Sequence, residues 1–331
     1  MQSAPDTFIE LQKQILLQIN ENNFDEIAWR IFRLQSIHNE VYNKYLSLLK
    51  VNPDRVKSWD QIPFLPIRFF KSHTVKTGQW PTQRIYQSSG TTQAVRSSHH
   101  LWDEAFYLQH SALIFENFFG PINQFNILCL LPSYDTGQSS LVAMARYFIA
   151  RSGSENSGFF LSDYKRLTGL MEQLNSTRKK NLLLGVSHAL LDLAEQGPFD
   201  FNNTLVMETG GMKGRKEELT RAELHGKIKK GLGVKNILSE YGMTELCSQA
   251  YSQTEGIFQC STAMKVIIRE INDPFASSTS SGVINVIDLA NFHSCSFIET
   301  QDLGRVTVNG FEVLGRVDNS EARGCNLMIA H

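Results

Sequence analysis

Asn181-Leu182-Leu183-Leu184-Gly185-Val186-Ser187-His188 is the stretch from which the fold is read. A strand-like run over 181–184 enters a short loop over 185–188, and a helical pattern follows near 187–196. The same unit recurs on both sides. Strand-like runs lie at 125–131, 204–207 and 236–238, and helical patterns near 103–119, 138–150, 164–178 and 215–231. Strands alternating with helices imply an α/β unit with a mostly parallel sheet.

In such sheets ligands sit at the loops leaving the carboxyl ends of strands. Four loops follow predicted strands: 87–93, 185–188, Thr209-Gly210-Gly211 and 240–245. The first, Gln87-Ser88-Ser89-Gly90-Thr91-Thr92-Gln93, carries four hydroxyls and a glycine after Arg84-Ile85-Tyr86. Backbone N–H groups and hydroxyls in such a loop can converge on one anion, although the same composition also describes a surface loop. The last, Ser239-Glu240-Tyr241-Gly242-Met243-Thr244-Glu245, supplies an aromatic ring for a base and a hydroxyl for a phosphate oxygen. Its Glu245 is a candidate for Mg²⁺, which prefers oxygen ligands and substrate phosphates. The string reads equally as a helix start with Thr244 as cap. Further on, Asp302 ends a strand and can accept two ribose hydroxyls, and Arg316, in Gly315-Arg316-Val317-Asp318, can donate a forked pair of hydrogen bonds. A turn aspartate and a surface ion pair are the plainer readings of these two.

Outside the α/β unit, 6–50 reads as helices. Phe8, Leu11, Ile15 and Ile19 recur at helical spacing, as do Ile27, Ile31, Leu34, Val41, Tyr45 and Leu48. A connector over 62–71 has two prolines, which exclude a regular helix through its start, and apolar residues that need a buried groove. After Gly242 the apolar runs shorten, near 256–260, 263–269, 283–288, 296–299, 305–309 and 311–314, and predict a β-rich second part. The expected division is 1–80 helical segment and connector, 81–240 α/β subdomain, 241–315 β-rich subdomain and 316–331 hinge-like tail.

Among 331 residues, 32 basic and 33 acidic side chains leave a net charge of −1, which gives no electrostatic case for nucleic acid or an anionic membrane. The five cysteines form no C-x-x-C pair, so neither a disulfide framework nor a zinc ribbon is expected, and a reducing cytoplasm fits. The start lacks a signal-peptide pattern, and the most apolar segment, 127–131, is too short to span a bilayer.

The order of hydroxyl-rich loop, Tyr-Gly-x-Thr-Glu, strand-end Asp and Gly-Arg-x-Asp resembles the adenylate-forming superfamily. With 62–71, 208–211 and Arg323-Gly324-Cys325 added, the chain is more closely similar to the acyl-protein synthetase (LuxE-like) and phenylacetate-CoA ligase-like group, over nearly its whole length. The resemblance implies the adenylate-forming N-terminal-domain fold and ATP-dependent conversion of a carboxylic acid, a fatty acid in the synthetases, to acyl-AMP. Acyl transfer to a thiol follows: the chain's own Cys325, CoA, or a carrier-protein or reductase partner.

It also implies roles. Ser88, Ser89, Gly90, Thr91 and Thr92 would cradle the outer phosphates of ATP. Gly210 and Gly211 would line the adenine pocket, with Tyr241 and Gly242 beside the ring. Thr244 and Glu245 would serve the α-phosphate and Mg²⁺, Asp302 and Arg316 the ribose, and His188 the acyl carboxylate. The chain departs from the pattern at Gln93 and Arg96, where the superfamily carries a Gly and a Lys. Fifteen residues follow Arg316 and no lysine follows Lys265. A lid domain, which needs at least ~50 residues, and its lysine are therefore expected to be absent. Arg323, Arg96, Lys71 and Lys213 are the candidate replacements, and Arg323 beside Cys325 favours a thiolate. Packed, unreactive thiols are expected at Cys129, Cys247 and Cys260.

Two alternatives remain open. Gly185-Val186-Ser187-His188-Ala189 approaches the G-x-S-x-G elbow of a serine hydrolase, with His225 or His293 as partner, but ends in Ala. A nucleotide-binding subunit without turnover is the other.

Overall fold

Three helices open the chain: α1 (Ala4–Leu17), α2 (Phe24–His38) and α3 (Glu40–Leu48). The computed structural model describes residues 4–89, 95–131, 137–210, 219–253, 256–271, 273, 276 and 281–317. Phe8, Leu11, Ile15, Ile27 and Ile31 are buried, as their helical period requires. That period does not continue through Asn39. The Asn39 backbone N–H closes α2 on Gln35 O, while its side chain accepts from Tyr42 N and starts α3. Helices meeting at a shared cap need not share one phase. Tyr42 and Leu46 are therefore the buried residues of α3, and Leu48, expected on the apolar stripe, is 72% exposed.

The connector lies as its prolines require. Its strand β1 (Leu65–Pro66) pairs in parallel with Ile298 and Glu299, and Ile67 N donates to Glu299 O at 2.8 Å before the short helix α4 (Phe69–Ser72). Ile62, Phe64, Leu65 and Phe70 fill the groove. Next, β2 (Arg84–Gln87) and β3 (Ser98–Leu101) form an antiparallel hairpin around the Ser/Thr loop. Of the expected site residues, Gly90, Thr91, Thr92, Gly211, Arg323 and Cys325 lie outside the described residues, as does Lys213.

The helix α5 (Glu104–Phe119), capped by the Asp103 side chain, leads into the α/β unit. This comprises β4 (Phe125–Leu130), α6 (Ser140–Ser152), β5 (Gly158–Phe159), α7 (Tyr164–Leu174), β6 (Lys180–Val186), α8 (Ser187–Ala194), β7 (Thr204–Thr209), α9 (Arg221–Leu232) and β8 (Ile237–Tyr241). All of β4 and all of β6 after Lys180 are buried, as parallel strands covered on both faces must be.

The chain then turns antiparallel through β9 (Ala250–Ser252), β10 (Ile257–Cys260), β11 (Met264–Arg269), β12 (Gly282–Asp288), β13 (Phe297–Thr307) and β14 (Gly310–Arg316). The runs 296–299 and 305–309, expected as two strands, are one. Thr300 and Asp302 between them are buried and paired rather than turned out: Thr300 Oγ1 donates to Ile284 O at 2.8 Å, and Asp302 accepts from Tyr241 and Arg316. The described strands of both halves join in one sheet, β11-β12-β13-β14-β10-β9-β8-β7-β6-β4-β5, continuous across the boundary expected at 240/241. One apolar core fills the α/β unit; a second lies between the N-terminal helices, the connector and the antiparallel half. No described helix is long and apolar enough to cross a membrane.

Leu183, at the centre of β6, is fully buried. Leu183→Ala is expected to cost about 2–5 kcal/mol in denaturant unfolding, and exposed Leu48→Ala less than about 0.5 kcal/mol; equal costs would contradict the packing described. A second expectation concerns pH. Thr209 and Glu240 are opposite each other in the β7–β8 ladder, and the Thr209 hydroxyl donates to Glu240 Oε2. Burial pushes the Glu240 carboxyl from an ordinary 4.5 up to about 7, the Thr209 bond opposing it only in part. Across that window the folded chain keeps a proton that the unfolded chain has lost, so this group's contribution to stability is lost as pH rises. Wild type should lose up to about 3 kcal/mol more between pH 5 and 8 than Glu240→Gln. Parallel stability profiles for the two proteins would remove Glu240 as the source.

Candidate active site

The parallel ladder aligns the carboxyl ends of three strands. Val186 of β6 pairs with Thr209 of β7, and Thr209 with Glu240 of β8. The expected loop at 185–188 is divided between elements: Gly185 and Val186 finish β6, and Ser187 and His188 begin α8. His188 is half-buried in the first turn of that helix. Gly210 follows β7 with φ +72°, a left-handed conformation that glycine adopts without strain.

Beneath these ends lies a buried polar network that the sequence reading did not identify. Glu208 Oε1 accepts from Ser239 Oγ at 2.9 Å and lies 3.0 Å from His225 Nε2. Its Oε2 is 2.9 Å from Ser187 Oγ, which also lies 2.8 Å from Gly210 O. Burial pushes the Glu208 carboxyl up, but the hydrogen bond and charge of His225, with Arg221 and Ser187, outweigh it and hold the group below its ordinary value. Ser187 therefore faces a carboxylate and a carbonyl, not a histidine. The serine-hydrolase alternative needs a Ser–His pair, and its candidate His225 sits on the far oxygen of Glu208. The one available signal was strand length: β7 runs on to Thr209, which makes Glu208 an interior strand residue.

Tyr241, Asp302 and Arg316, from three different strands, converge. Asp302 pairs with Arg316 in the β13–β14 ladder, and Arg316 Nε donates to Asp302 Oδ1 at 2.9 Å. The Tyr241 hydroxyl donates to Oδ2 at 3.0 Å. Burial, followed by the Asp302 charge, raises the phenol well above its ordinary range and keeps it a donor. The Tyr241 ring packs against Phe258 and Phe311, with centroids 5.7 and 5.3 Å away. Asp302 is buried, while the Arg316 side chain is 54% exposed, so this pair marks where the polar core meets solvent.

After Gly242, the residues Met243, Thr244, Glu245 and Leu246 form a turn rather than a helix start, with Leu246 N donating to Met243 O at 3.1 Å. A Cβ on Gly242 would collide with Glu240 Oε1, so a larger residue here requires that carboxyl group to shift. The turn is held from below. His99 Nδ1 lies 2.8 Å from Thr244 O, and Asn291 Nδ2 donates to Glu245 O at 2.7 Å. Because His99 belongs to β3, this contact ties the Thr244–Glu245 turn to the hairpin bearing the Ser/Thr loop. Ser88 closes the neck of that loop: its N donates to Ser97 O at 3.1 Å, and its Oγ accepts from Ser97 N at 3.0 Å. Ser89 beside it is exposed.

The structure thus gathers Tyr241, Gly242, Thr244 and Glu245 between the Asp302–Arg316 pair and the β2–β3 hairpin, with Gly210 on the neighbouring strand end. Arg96 is half-buried and Lys71 exposed. A 470 Å³ groove lined by Lys265, Val306 and Phe311 involves none of the expected site residues. Phe64 and Phe70 are buried in the core of the antiparallel half and Phe115 in the core of the α/β unit. Burial pushes the thiols of Cys129, Cys260 and Cys295 to about 12, as packed cysteines require.

No protein-family profile and no curated protein matches the chain. Solved structures do. ATP-bound MatB from Rhodopseudomonas palustris matches 70% of this chain with 47% of its own, at a TM-score of 0.53 and 19% identity. The apo form of that protein matches 74% of this chain with 50% of its own, at a TM-score of 0.53 and 17% identity. O-succinylbenzoate coenzyme A synthetase (MenE) from Bacillus subtilis, in complex with AMP, matches 71% with 50% of its own, at 0.52 and 18%. The chain spans about half the length of these structures. At such identities the likeness concerns architecture, and the chain has the adenylate-forming N-terminal-domain fold, with a sheet that is parallel in one half and antiparallel in the other.

Proposed function

We propose that this chain activates a carboxylic acid with ATP, in the manner of the acyl-protein synthetases, and passes the acyl group to a thiol. The observation that carries the proposal is the convergence of Tyr241, Asp302 and Arg316 beside the Thr244–Glu245 turn, on a fold shared with an ATP-bound and an AMP-bound enzyme. Each Asp302 oxygen already accepts one hydrogen bond, yet a carboxylate offers about four acceptor sites. Asp302, fixed by Tyr241 and Arg316, would therefore accept the two ribose hydroxyls. Gly210, Gly211 and Gly242 would let the adenine approach the backbone, with Tyr241 at its border. Ser88, Ser89, Gly90, Thr91 and Thr92 would hold the outer phosphates, and Thr244 an oxygen of the α-phosphate. Thr244 and Glu245 offer the oxygen donors that suit Mg²⁺, which when bound to Glu245 would neutralise phosphate charge. His188, at the head of α8, would orient the acid.

A carboxylate oxygen of the acid then attacks the α-phosphorus, forming the acyl-AMP anhydride and breaking the bond to pyrophosphate. A thiolate next attacks the acyl carbon, forming a thioester and releasing AMP. Cys325, beside Arg323, is the proposed thiol; CoA or a carrier-protein thiol is the alternative acceptor, and a fatty acid is the proposed substrate. The reaction requires no membrane or nucleic-acid partner and suits the cytoplasm. The proposed boundaries remain 1–80, 81–240, 241–315 and 316–331.

Pyrophosphate exchange into ATP, driven by a panel of fatty and aryl acids, tests the first step. Glu245→Gln is expected to lower exchange roughly 10²–10³-fold. Asp302→Ala should raise the KM for ATP about 10–100-fold, as loss of hydrogen bonds to a charged group predicts. ATP binding without exchange, whichever acid is offered, would instead indicate a nucleotide-binding subunit. Intact-protein mass spectrometry tests the second step: Cys325→Ser should exchange normally but carry no acyl adduct, and an adduct on that variant would assign the thiol elsewhere.

A further inference from the structure

Below the Thr244–Glu245 turn, three metal-ligating side chains from distant parts of the chain meet in the core. His99 comes from β3, Cys247 from the segment after the turn, and His293 from the segment before β13. One nitrogen of each ring and the Cys247 Sγ all lie within 4.8 Å of one another, and the three residues are 0%, 0% and 2% exposed. The imidazoles stack, with centroids 5.7 Å apart and planes 9° from parallel.

The hydrogen bonds around this cluster do not balance. Among the described residues His293 Nε2, which is buried, has no hydrogen-bond partner, a state that buried polar atoms rarely tolerate. His99 Nδ1 lies 2.8 Å from Thr244 O, which can only accept, so in the neutral ring the proton is on Nδ1 and Nε2 is a bare lone pair. That lone pair faces Asn291 Oδ1 at 2.9 Å, also an acceptor. Turning the Asn291 amide over does not resolve the conflict. It would place Oδ1 against Glu245 O, which the Nδ2 now meets at 2.7 Å. His99 Nε2 thus meets an acceptor and His293 Nε2 meets no described partner, while Cys247 Sγ donates at 3.7 Å to the same Asn291 Oδ1 that His99 Nε2 faces; a cation among these groups would balance the two ring nitrogens.

We propose that His99, Cys247 and His293 bind a zinc ion, with Asn291 Oδ1 as the fourth donor. One sulfur, two imidazole nitrogens and one oxygen suit a tetrahedral Zn²⁺ site. Ligands in such a site lie roughly 3.3–3.8 Å apart, given metal–ligand distances of about 2.0–2.3 Å, so the side chains need close by only about 1 Å. The bond from His99 Nδ1 to a backbone carbonyl is the outer-shell contact that metal-bound histidines make to orient the ring. Cys247 is held in a similar way: its N and that of Ser248 donate to Asp288 Oδ2 at 2.6 and 2.9 Å. Binding forms a Zn–S bond and releases the Cys247 thiol proton to solvent. Because the site is fully buried, the ion enters as the chain folds. It would join β3, the Thr244–Glu245 turn and the segment before β13, so its role is structural and does not depend on the acid-activation reading.

The test uses the full chain expressed in medium supplemented with zinc or cobalt. One zinc per chain is expected by elemental analysis. The Co²⁺ form should show a near-ultraviolet thiolate-to-metal absorption band and the strong visible bands of a tetrahedral site. Cys247→Ser and His293→Gln should lower metal content at least tenfold, while Cys260→Ser and Cys325→Ser retain it. A wild-type protein without stoichiometric metal, or a cobalt form lacking the thiolate band, would overturn the assignment even if the ligand variants fail to fold. Undiminished metal in Cys247→Ser would overturn it as well.

Discussion

The hydrogen bond from the Tyr241 hydroxyl to Asp302 Oδ2 joins the two halves of the sheet at the point where the candidate site lies. Tyr241 ends β8, the last parallel strand, and Asp302 lies in the middle of β13, in the antiparallel half. In the sheet order β9, β10 and β14 stand between these strands. The sheet must therefore curl for the two residues to meet, and the ring contacts of Tyr241 with Phe258 of β10 and Phe311 of β14 fill the inside of that curl. Asp302 is then fixed by two donors, and Arg316 is held at the rim with more than half of its side chain in solvent. A site assembled in this way is positioned by strands rather than by loops, which favours precise geometry.

Around that junction the protein buries more polar chemistry than stability alone would favour. Glu208, Glu240, Glu245, Asp288, His99, His225 and His293 are all buried near strand ends and the turns that leave them. Transferring such groups from water is costly unless partners are supplied. Glu208 is well supplied, with two hydroxyls and an imidazole. Glu240 has one hydroxyl and meets part of the cost by retaining its proton. The His99–His293 pair is the least well compensated among these, with His293 Nε2 unpartnered among the described residues and His99 Nε2 against an acceptor.

Much of the α/β unit was legible from residue patterns. The runs at 125–131, 181–184, 204–207 and 236–238 became β4, β6, β7 and β8 because consecutive apolar residues suit strands covered on both faces. Two strands, β7 and β13, run past their apolar stretches because buried partners let polar residues continue them. Thr300 to Asp302, between the expected runs 296–299 and 305–309, continue β13, where Thr300 and Asp302 find buried partners in Ile284 O and the Tyr241 hydroxyl. Glu208 lies past the expected run 204–207 and is interior to β7. Leu48 was placed on the wrong side because Asn39 resets the helical phase.

By itself the sequence determined the alternation of strands and helices, the prolines that hold the connector extended, and the order of Ser88, Tyr241, Thr244, Glu245, Asp302 and Arg316 along the chain. These follow from backbone sterics and from apolar periodicity, which act over a few residues. Only the tertiary structure decided that Tyr241 would bond Asp302 across three intervening strands, that Ser187 would face Glu208 instead of a histidine, and that His99, Cys247 and His293 would meet. Those contacts join residues tens to nearly two hundred positions apart, and they depend on sheet register and curl, which no local window of sequence contains.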